Sequence, residues 1–422
     1  MIIKGLRTFY NNNNFFVSVD IVWEKYKYNF PSTLWFSTTE AYDFALTKDR
    51  FDAFLVGLVY PAIRNGETRI VVNGKISSML YDNFNRYVSI FKFSLSVEPN
   101  YIPTEIKLEV DELDSNPMET LNDVGTGFSG GVDSLHAIHQ YYLDCKIPSY
   151  KITKLFFFNV GSHGNTQNPR KAENLFYDRY RNMSFFAKEK LDLECIPLNS
   201  NMHEFHIWGH GRTESNTICA AILMLQPICS RYYVASAGWN YEQIFKHYGS
   251  ELNVVMAIFD PILFPLLSTE TLQIVSQGIE CTRMEKVKTI LDDDIAKDSM
   301  NVCFLPIQNG KINCGKCSKC QRTLLALDLF GKLDNFSKVF NLKDYKTSFV
   351  TKRYIARQII RKNFDLYAKD FVEYAKLNKI SLWKKTSVFA YLIEFVIAIL
   401  RKSRFIHSTF LKYYRRKMNI SE

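Results

Sequence analysis

The chain has 422 residues, of which 47% are hydrophobic and 15% aromatic, and its net charge is +10. This length is too great for one ordinary hydrophobic core, so we expect two or three domains, and the composition excludes a disordered chain. The excess of basic residues is typical of proteins that meet nucleic acids, phosphorylated substrates or anionic membrane surfaces. The first residues contain no apolar segment of signal-peptide length, and the nine cysteines, an odd number, favour a reducing cytoplasm.

Residues 1–118 predict a small α+β module that carries no recognisable chemistry. Three strands are predicted from their β-branched and aromatic content, at Phe15–Val19, Thr68–Val72 and Glu105–Val110. A helix is predicted from Asp49, as its cap, to Val59, with Pro61 after its end. The acidic and polar run 111–122 then predicts a linker.

The run 124–134 is the most informative part of the chain. It predicts a buried strand, a tight glycine turn and the start of a helix. Backbone N–H groups at such a turn and the helix dipole favour an anion, and Gly130 and Gly131 let the main chain approach a phosphate closely. Two hydroxyls add donors, and a carboxylate can hold a divalent cation: Ser129, Ser134 and Asp133. These residues predict a polyphosphate site.

From residue 124 to about 325 the pattern alternates between strands and helices. Strands are predicted at 155–160, 194–198 and 232–238, and helices at 173–191 and 217–230. This order predicts an α/β fold, an open parallel sheet with helices on both faces, whose ligand lies beyond the carboxyl ends of the strands. Residues from about 345 onward predict a basic helical region with one long amphipathic helix over 355–374.

The loop 129–134, Ser-Gly-Gly-Val-Asp-Ser, resembles the SGGxDS pyrophosphate loop of the N-type ATP pyrophosphatases, the PP-loop superfamily of adenine nucleotide alpha hydrolase-like proteins. No lysine follows the glycines, so the loop differs from that of γ-phosphoryl transfer enzymes. The resemblance implies a HUP-type sheet and cleavage of ATP between its α and β phosphates. It also implies binding of ATP and Mg²⁺ by the loop, catalytic roles for Asp133 and Ser134, and an adenine site at the main chain near Asn159 and Gly161.

A second motif, Cys-x2-Cys-x2-Cys, places three thiolates on one tight turn at Cys314, Cys317 and Cys320. Cys303, upstream of this turn, can return a fourth ligand. Four thiolates around Zn²⁺ make a closed tetrahedral site with a structural role. An iron–sulfur cluster is the alternative, because the same spacing occurs there. Four basic residues would offset the charge of the site: Lys311, Lys316, Lys319 and Arg322.

The loop and the cysteine motif, about 180 residues apart, together resemble the 7-cyano-7-deazaguanine synthase (QueC-like) branch of the superfamily. The resemblance covers residues 124–322. It implies a catalytic place for Arg212 near the phosphates or the activated substrate, and a surface salt bridge is the alternative role. Where the family normally has a lysine shortly after its proline–leucine pair, this chain has Ser268-Thr269-Glu270 after Pro265. The resemblance therefore leaves the acceptor substrate open.

These features predict a cytoplasmic ATP-dependent ligase or synthase that adenylates a carboxylate or amide oxygen for amide or nitrile formation. The predicted segments are an N-terminal module (1–118), a PP-loop domain with the zinc knuckle (119–340) and a basic helical extension (341–422). Long relatives occur in anti-phage operons, which indicates an acceptor that is a deazaguanine-type small molecule or a protein. The alternatives are a tRNA-modifying enzyme, an amidotransferase of a surface-polysaccharide pathway, or a nucleotide-sensing subunit without catalysis. For each of these functions, the expected partners are ATP, the acceptor, and either partner subunits or a second copy of the chain in a homodimer.

The run 388–400 is apolar apart from Glu394, and a cluster of basic residues follows it. Thirteen residues are too few to span a bilayer. We expect a helix that packs on the body of the protein. Peripheral contact with an anionic membrane and nucleic-acid binding are the alternatives.

Overall fold

The computed structural model describes residues 1–96, 101–102, 104–161, 169–205, 210–236, 239–247, 256–303 and 311–402. The chain divides into two compact units. The sheet unit comprises residues 1–282 and 292–300, and the helical unit comprises residues 283–291 and 301–422. The division into three segments at 118 and 340 stays a prediction, and both the N-terminal strands and the glycine loop belong to the sheet unit.

The sheet unit has the predicted α/β architecture, built on one ten-stranded sheet. Its strands are β1 (Ile2–Asn11), β2 (Asn14–Val22), β3 (Thr33–Thr39), β4 (Arg69–Ser77), β5 (Lys107–Asp114), β6 (Asp123–Gly127), β7 (Lys154–Asn159), β8 (Cys195–Ser200), β9 (Cys229–Ala235) and β10 (Gln273–Gln277). Across the sheet their order is β10-β9-β6-β7-β8-β3-β2-β1-β4-β5. Six of the neighbouring pairs are parallel, and the three pairs that link β8 to β1 are antiparallel.

The five strands β6 to β10 form a continuous parallel half-sheet with a reversal in its order. The chain runs from β6 outward to β7 and β8, then returns to the other side of β6 for β9 and β10. Such a reversal is a topological switch point, because the connections on its two sides leave a crevice at the carboxyl ends of the central strands. Here the crevice opens between β6 and β9, and the glycine loop follows β6 directly.

The N-terminal strands extend this same sheet. Strand β3 pairs antiparallel with β8, with Phe36 opposite Ser200. The hydroxyl of Thr38 donates to the carbonyl of Pro197 at 2.7 Å, and Asn201 accepts a hydrogen bond from the Trp35 amide at 2.9 Å. The predicted strands of this region are confirmed as parts of β2, β4 and β5. The predicted linker is partly wrong, because β5 continues into it as far as Asp114.

The sheet unit contains eight helices with α geometry before residue 267 and one after residue 292, among the described residues. They are α1 (Asp52–Asn65), α2 (Ser78–Asp82), α3 (Phe84–Ser96), α4 (Val132–Ile138), α5 (Pro169–Leu191), α6 (Glu214–Leu223), α7 (Tyr241–His247), α8 (Asp260–Leu266) and α10 (Asp294–Ser299), with α9 (Arg283–Thr289) lying in the helical unit. The predicted helix over 217–230 is too long, because α6 ends at Leu223 and β9 begins at Cys229.

Helix α1 differs from its prediction at both ends. Phe51, not Asp49, occupies the N-cap position, and the helix continues past Pro61 to a left-handed cap at Gly66. Proline within a helix leaves the carbonyl four residues earlier without its usual partner. Here that carbonyl, of Gly57, accepts a hydrogen bond from the side-chain amide of Asn216 on α6 at 3.4 Å. Packing of α1 against α6 therefore compensates for the proline, which the local sequence does not reveal.

The helical unit continues with α11 (Ser318–Leu329), α12 (Leu342–Thr347), α13 (Phe349–Arg361), α14 (Leu366–Leu377) and α15 (Val388–Lys402). The single long helix predicted over 355–374 is wrong, since α13 and α14 are separate. The carboxylate of Asp365 accepts a hydrogen bond from the Ala368 amide at 3.2 Å and so caps α14. An aspartate at this position favours a new helix start over continuation of the old helix. Within the described ranges, every helix is too short or too polar to traverse a lipid bilayer.

Candidate functional site

Strand β6 brings the chain to the glycine loop through a tightly packed glycine. A Cβ atom on Gly125 would lie 2.7 Å from the Phe156 ring, 2.9 Å from the Tyr232 ring and 3.1 Å from the sulfur of Cys229. Only glycine fits between these neighbours. At Gly127 the nearest contact of such an atom would be an ordinary 3.5 Å, to the Tyr232 hydroxyl. Strand β6 is therefore tightly packed at Gly125, whereas its packing is looser at Gly127, next to the loop.

The loop itself turns through Gly130, whose φ of +71° lies in the left-handed region that favours glycine. Gly131 follows in an extended conformation as the N-cap of α4. The Ser129 hydroxyl accepts a hydrogen bond from the Gly131 amide at 3.3 Å, and the Ser134 hydroxyl donates to the Gly131 carbonyl at 3.0 Å. The two hydroxyl oxygens lie 3.3 Å apart. These contacts place both hydroxyls at the start of α4.

A cavity of about 250 Å³ lies at the switch point of the sheet. On one side it is lined by Ser129, Asp133 and Ser134, which the sequence predicts to act together. The other lining residues come from the end of β6 and the residue after it, from β7 and the residue after it, from α6 and from β9, and most are apolar: Gly127, Phe128, Phe156, Phe157, Phe158, Val160, Ile218, Tyr232, Tyr233, Val234 and Ala235. The cavity therefore combines a small polar end with an apolar wall, as binding sites for small molecules generally do.

The predicted adenine residues lie at the end of β7, next to this cavity. Asn159 is buried, and its side-chain amide donates to the carbonyl oxygen of the Asn199 side chain at 2.7 Å. Asn199 in turn donates to the carboxylate of Glu173 at 3.2 Å. Gly161 has a φ of +111°, so the chain turns there in a backbone conformation that favours glycine. The adjacent Val160 lines the cavity.

Arg212 is not among the described residues that line the cavity. It ends a short 3₁₀ segment before α6, and its charge acts on residues of α1. Partial burial lowers the pKa of Arg64, and the positive charge of Arg212 lowers it further. The structure thus brings together Ser129, Asp133 and Ser134, but it sets Arg212 beside the end of α1. Its catalytic role stays a prediction.

The four cysteines predicted as metal ligands form one cluster in the helical unit. Their sulfur atoms all lie within 4.8 Å of one another. The sulfurs of Cys303 and Cys317 are 4.0 Å apart, and those of Cys314 and Cys320 are 3.8 Å apart. With metal–sulfur bonds of about 2.3 Å, a tetrahedral ion holds its sulfurs about 3.8 Å apart. The cluster is therefore shaped to hold a single metal ion such as zinc.

Backbone amides around the cluster donate hydrogen bonds that would stabilise negatively charged sulfur. The amides of Lys316 and Cys317 donate to the Cys314 sulfur at 3.4 and 3.3 Å, and the Cys320 amide donates to the Cys317 sulfur at 3.5 Å. Gly315 permits the turn with a φ of +67°. Hydrogen bonds of this kind orient metal ligands and stabilise the thiolate form.

Asn313 joins the two segments that carry the cysteines. Its side-chain oxygen accepts hydrogen bonds from the amides of Val302 and Cys303 at 2.9 and 3.2 Å. Its side-chain nitrogen donates to the carbonyl of Val339 at 3.2 Å. The role of this buried residue was not predicted from the sequence, although a polar side chain directly before Cys314 was the available signal. Asn313 fixes Cys303 beside the cysteine turn.

The thiols interact with one another strongly. The neighbouring Cys303 thiol raises the pKa of Cys317 to about 11, and Cys303 and Cys317 raise the pKa of Cys320 well above its ordinary range. A bound divalent cation reverses this preference, because it stabilises the deprotonated ligands. Among the basic residues predicted to offset the charge, Lys311 donates to the carbonyls of Ser337 and Lys338 at 2.9 and 3.2 Å. Arg322 lies over the Tyr367 ring at 3.8 Å.

The aromatic wall of the cavity was the other feature missed from the sequence. The ring of Tyr232 lies 5.7 Å from that of Phe156 and 6.0 Å from that of Phe158. These residues belong to β9 and β7, which lie on opposite sides of β6. Their buried, strand-forming patterns were visible, but the strand order that brings them together was not.

Comparisons of the chain with protein-family models, with curated proteins and with solved structures each give no match. The resemblance to the PP-loop superfamily therefore depends on the loop, the cysteine motif and their order in the chain.

Proposed function

We propose that this protein is a HUP-type PP-loop enzyme, similar to QueC-like synthases, that uses ATP to adenylate an acceptor and releases AMP and pyrophosphate. The observation that carries the proposal is the position of Ser129, Asp133 and Ser134 together at one end of the switch-point cavity. A resemblance in sequence alone would not require these side chains to line a common space. Their convergence at the carboxyl end of β6 supports a ligand there.

Binding of the pyrophosphate portion of ATP follows from the donors of the loop. The hydroxyls of Ser129 and Ser134 and the amides at the start of α4 are suited to phosphate oxygens, and the helix dipole adds to this preference. Helix α4 continues as one turn of π-helix over His139–Leu143, so the N-terminus begins a helical segment of three turns. Gly130 and Gly131 carry no side chain that would keep a phosphate away.

The half-buried carboxylate of Asp133 is the group that would hold Mg²⁺. Carboxylate and hydroxyl oxygens are the ligands that Mg²⁺ prefers, and the cation neutralises part of the phosphate charge. The apolar wall would receive the less polar part of the nucleotide, with the main chain near Asn159 and Gly161 beside the adenine. The same wall limits the access of water to the reacting phosphate.

The reaction we propose has two balanced steps. A carboxylate or amide oxygen of the acceptor forms a bond to the α-phosphorus of ATP, and the bond to the bridging oxygen breaks as pyrophosphate leaves. With a carboxylate acceptor, a nitrogen nucleophile then attacks the activated carbon and loses a proton, and AMP leaves with the acceptor oxygen to give an amide. With an amide acceptor, AMP leaves with the oxygen while the amide nitrogen loses its two protons, which gives a nitrile. Catalysis is mainly positioning and electrostatic stabilisation of pyrophosphate. The acceptor is a deazaguanine-type small molecule or a protein; a tRNA acceptor is less favoured, because no second Cys-x2-Cys pair remains outside the cysteine cluster.

The test is an Asp133→Asn variant with Asp144→Asn as the matched control. Asp144 lies at the exposed end of the same helical segment, outside the cavity. Binding of ATP with Mg²⁺ is measured by calorimetry with pyrophosphate as competitor, and turnover is measured as AMP and pyrophosphate formed with candidate acceptors. We expect Asp133→Asn to lower turnover at least about 100-fold and the control to behave as wild type.

Normal turnover by a folded Asp133→Asn protein would refute the assignment. Formation of ADP instead of AMP would refute the proposed bond cleavage. ATP binding without turnover for any acceptor would support the nucleotide-sensing alternative.

We propose that the cysteine cluster is a structural zinc site. Zinc prefers four thiolates in a closed tetrahedron, which leaves no position for a substrate. A polynuclear iron–sulfur cluster attaches its cysteines to different irons, so its four cysteine sulfurs would not all lie within 4.8 Å of one another, as they do here. Elemental analysis should find about one zinc per chain. Iron with visible absorbance would contradict the assignment.

A further inference from the structure

Helix α15 has one face that packs within the helical unit. Ala390 is fully buried and Glu394 is 3% exposed. Arg353 and Arg357 of α13 both reach the Glu394 carboxylate, at 2.6 and 2.8 Å. At the edge of this packed face, the largely exposed Phe389 ring stacks on that of Phe349 at 5.7 Å. The predicted packing of this helix is therefore confirmed for the face that meets α13.

The opposite face of α15 is apolar and exposed. Six side chains are between 45% and 74% exposed, and all are apolar: Val388, Phe389, Leu392, Phe395, Val396 and Ile399. At 100° per residue they form a continuous stripe about 120° wide along a helix about 22 Å long. The solvent-facing side of a surface helix is ordinarily polar, so a stripe of this kind indicates a binding surface. Trp383, shortly before the helix, is 55% exposed as well.

The sequence around α15 is strongly basic. Residues 374–421 include eleven lysines and arginines and one acidic residue, Glu394, which α13 already pairs. The whole helical unit has 28 lysines and arginines against 9 aspartates and glutamates, a net charge of +19. The occupant that complements this surface must be apolar in part and negatively charged.

We propose that α15 and the basic residues around it dock the protein on an anionic lipid bilayer. The helix would lie in the plane of the interface, with its apolar stripe among the acyl chains and the lysines and arginines at the headgroups. A second copy of this chain, docked through the same face, is disfavoured as the occupant, because two strongly positive helical units would repel each other. Four of the six side chains are aliphatic, and these gain nothing from stacking on nucleic-acid bases. The proposal is independent of the function proposed for the glycine loop.

The experiment uses the full chain and two kinds of vesicle, phosphatidylcholine alone and phosphatidylcholine mixed with phosphatidylserine. Co-sedimentation is measured at low and high salt. We expect binding to the mixed vesicles at low salt, weaker binding at high salt and little binding to phosphatidylcholine. Absence of binding to the mixed vesicles at low salt would overturn the proposal.

The decisive variant is Leu392→Gln with Val396→Gln, which makes the stripe polar with residues that keep the helix. We expect it to bind mixed vesicles at least about tenfold more weakly. Leu377→Gln is the matched control, because Leu377 is 80% exposed on α14, and we expect wild-type binding. Circular dichroism and thermal unfolding establish that each variant is folded.

Equal vesicle binding by the double variant and the wild type would overturn the proposal. So would a concentration-dependent dimer, measured by light scattering, that the double variant abolishes while vesicle binding is absent. Binding of transfer RNA by the intact chain, with no vesicle binding, would likewise assign the surface to nucleic acid and overturn it.

Discussion

The two units of this protein carry opposite charges and build their candidate sites in different ways. The sheet unit has 25 lysines and arginines against 34 aspartates and glutamates, a net charge of −9, whereas the helical unit has +19. The overall value of +10 therefore describes neither unit. The candidate anion site lies in the negatively charged unit, where backbone amides and hydroxyls would bind the anion, so net charge is a poor guide to its position.

The sites also differ in what they require of the fold. The glycine loop lines a cavity only because it lies at the switch point of a sheet whose strands come from distant parts of the chain. The cysteine cluster needs one turn, the return of Cys303 and the bridging side chain of Asn313. We expect the first site to depend on packing of the sheet and the second to depend on its metal.

The largest expected effect follows removal of the proposed metal ion from the cysteine cluster. Chelation, or Cys317→Ser, should destabilise the helical unit by about 5 kcal/mol or more, because metal binding is coupled to folding of the ligand segments. Calorimetry should show a lower or missing transition for this unit while the transition of the sheet unit remains. The control is Cys145→Ser, outside the cluster, which should leave both transitions in place. Simultaneous loss of both transitions would show that the units do not unfold separately.

The next largest effect is expected at Gly125. Gly125→Ala should destabilise the sheet unit by about 1–3 kcal/mol, because the added methyl group meets three neighbours at 2.7 to 3.1 Å. Gly127→Ala, two residues along the same strand, should cost less than about 1 kcal/mol, since its contacts are ordinary. Chemical unfolding measures the free energy of unfolding of both variants. Equal effects of the two variants would contradict the packing described here.

The smallest effect is expected for the ion pairs of α15. Glu394→Gln should destabilise the helical unit by about 1–2 kcal/mol, because Arg353 and Arg357 lose a nearly buried partner. Glu373→Gln, whose carboxylate is 59% exposed, should cost less than about 0.5 kcal/mol. Thermal unfolding of the two variants at neutral pH provides the comparison.

The same ion pairs predict a pH dependence. Burial alone would raise the pKa of Glu394, but hydrogen bonds and charges from Arg357 and Arg353 lower it below the ordinary 4.5. A lowered pKa in the folded state means that the carboxylate stabilises the protein above about pH 4.5. The contribution is lost as the pH falls through the folded-state pKa. The difference in stability between wild type and Glu394→Gln should therefore shrink in acid, and a constant difference would refute this account.

The sequence by itself determined the features that short segments encode. Gly130, between Ser129 and Gly131, predicts a turn at the start of a helix, because few other residues adopt its backbone conformation. The spacing of Cys314, Cys317 and Cys320 likewise predicts one ligand cluster. The α/β class was predictable too, since buried strands and amphipathic helices have different periodicities.

Only the tertiary structure decided what depends on partners far apart in the chain. It joined β3 to β8, compensated Pro61 through Asn216 and placed the aromatic wall opposite the loop. It also brought the four cysteine sulfurs within 4.8 Å of one another, where they could hold one metal ion, and left one apolar face of α15 exposed. The physical reason is common to all of these. Local conformation follows from neighbouring residues, whereas strand order, cavity walls and helix exposure follow from which distant surfaces pack together.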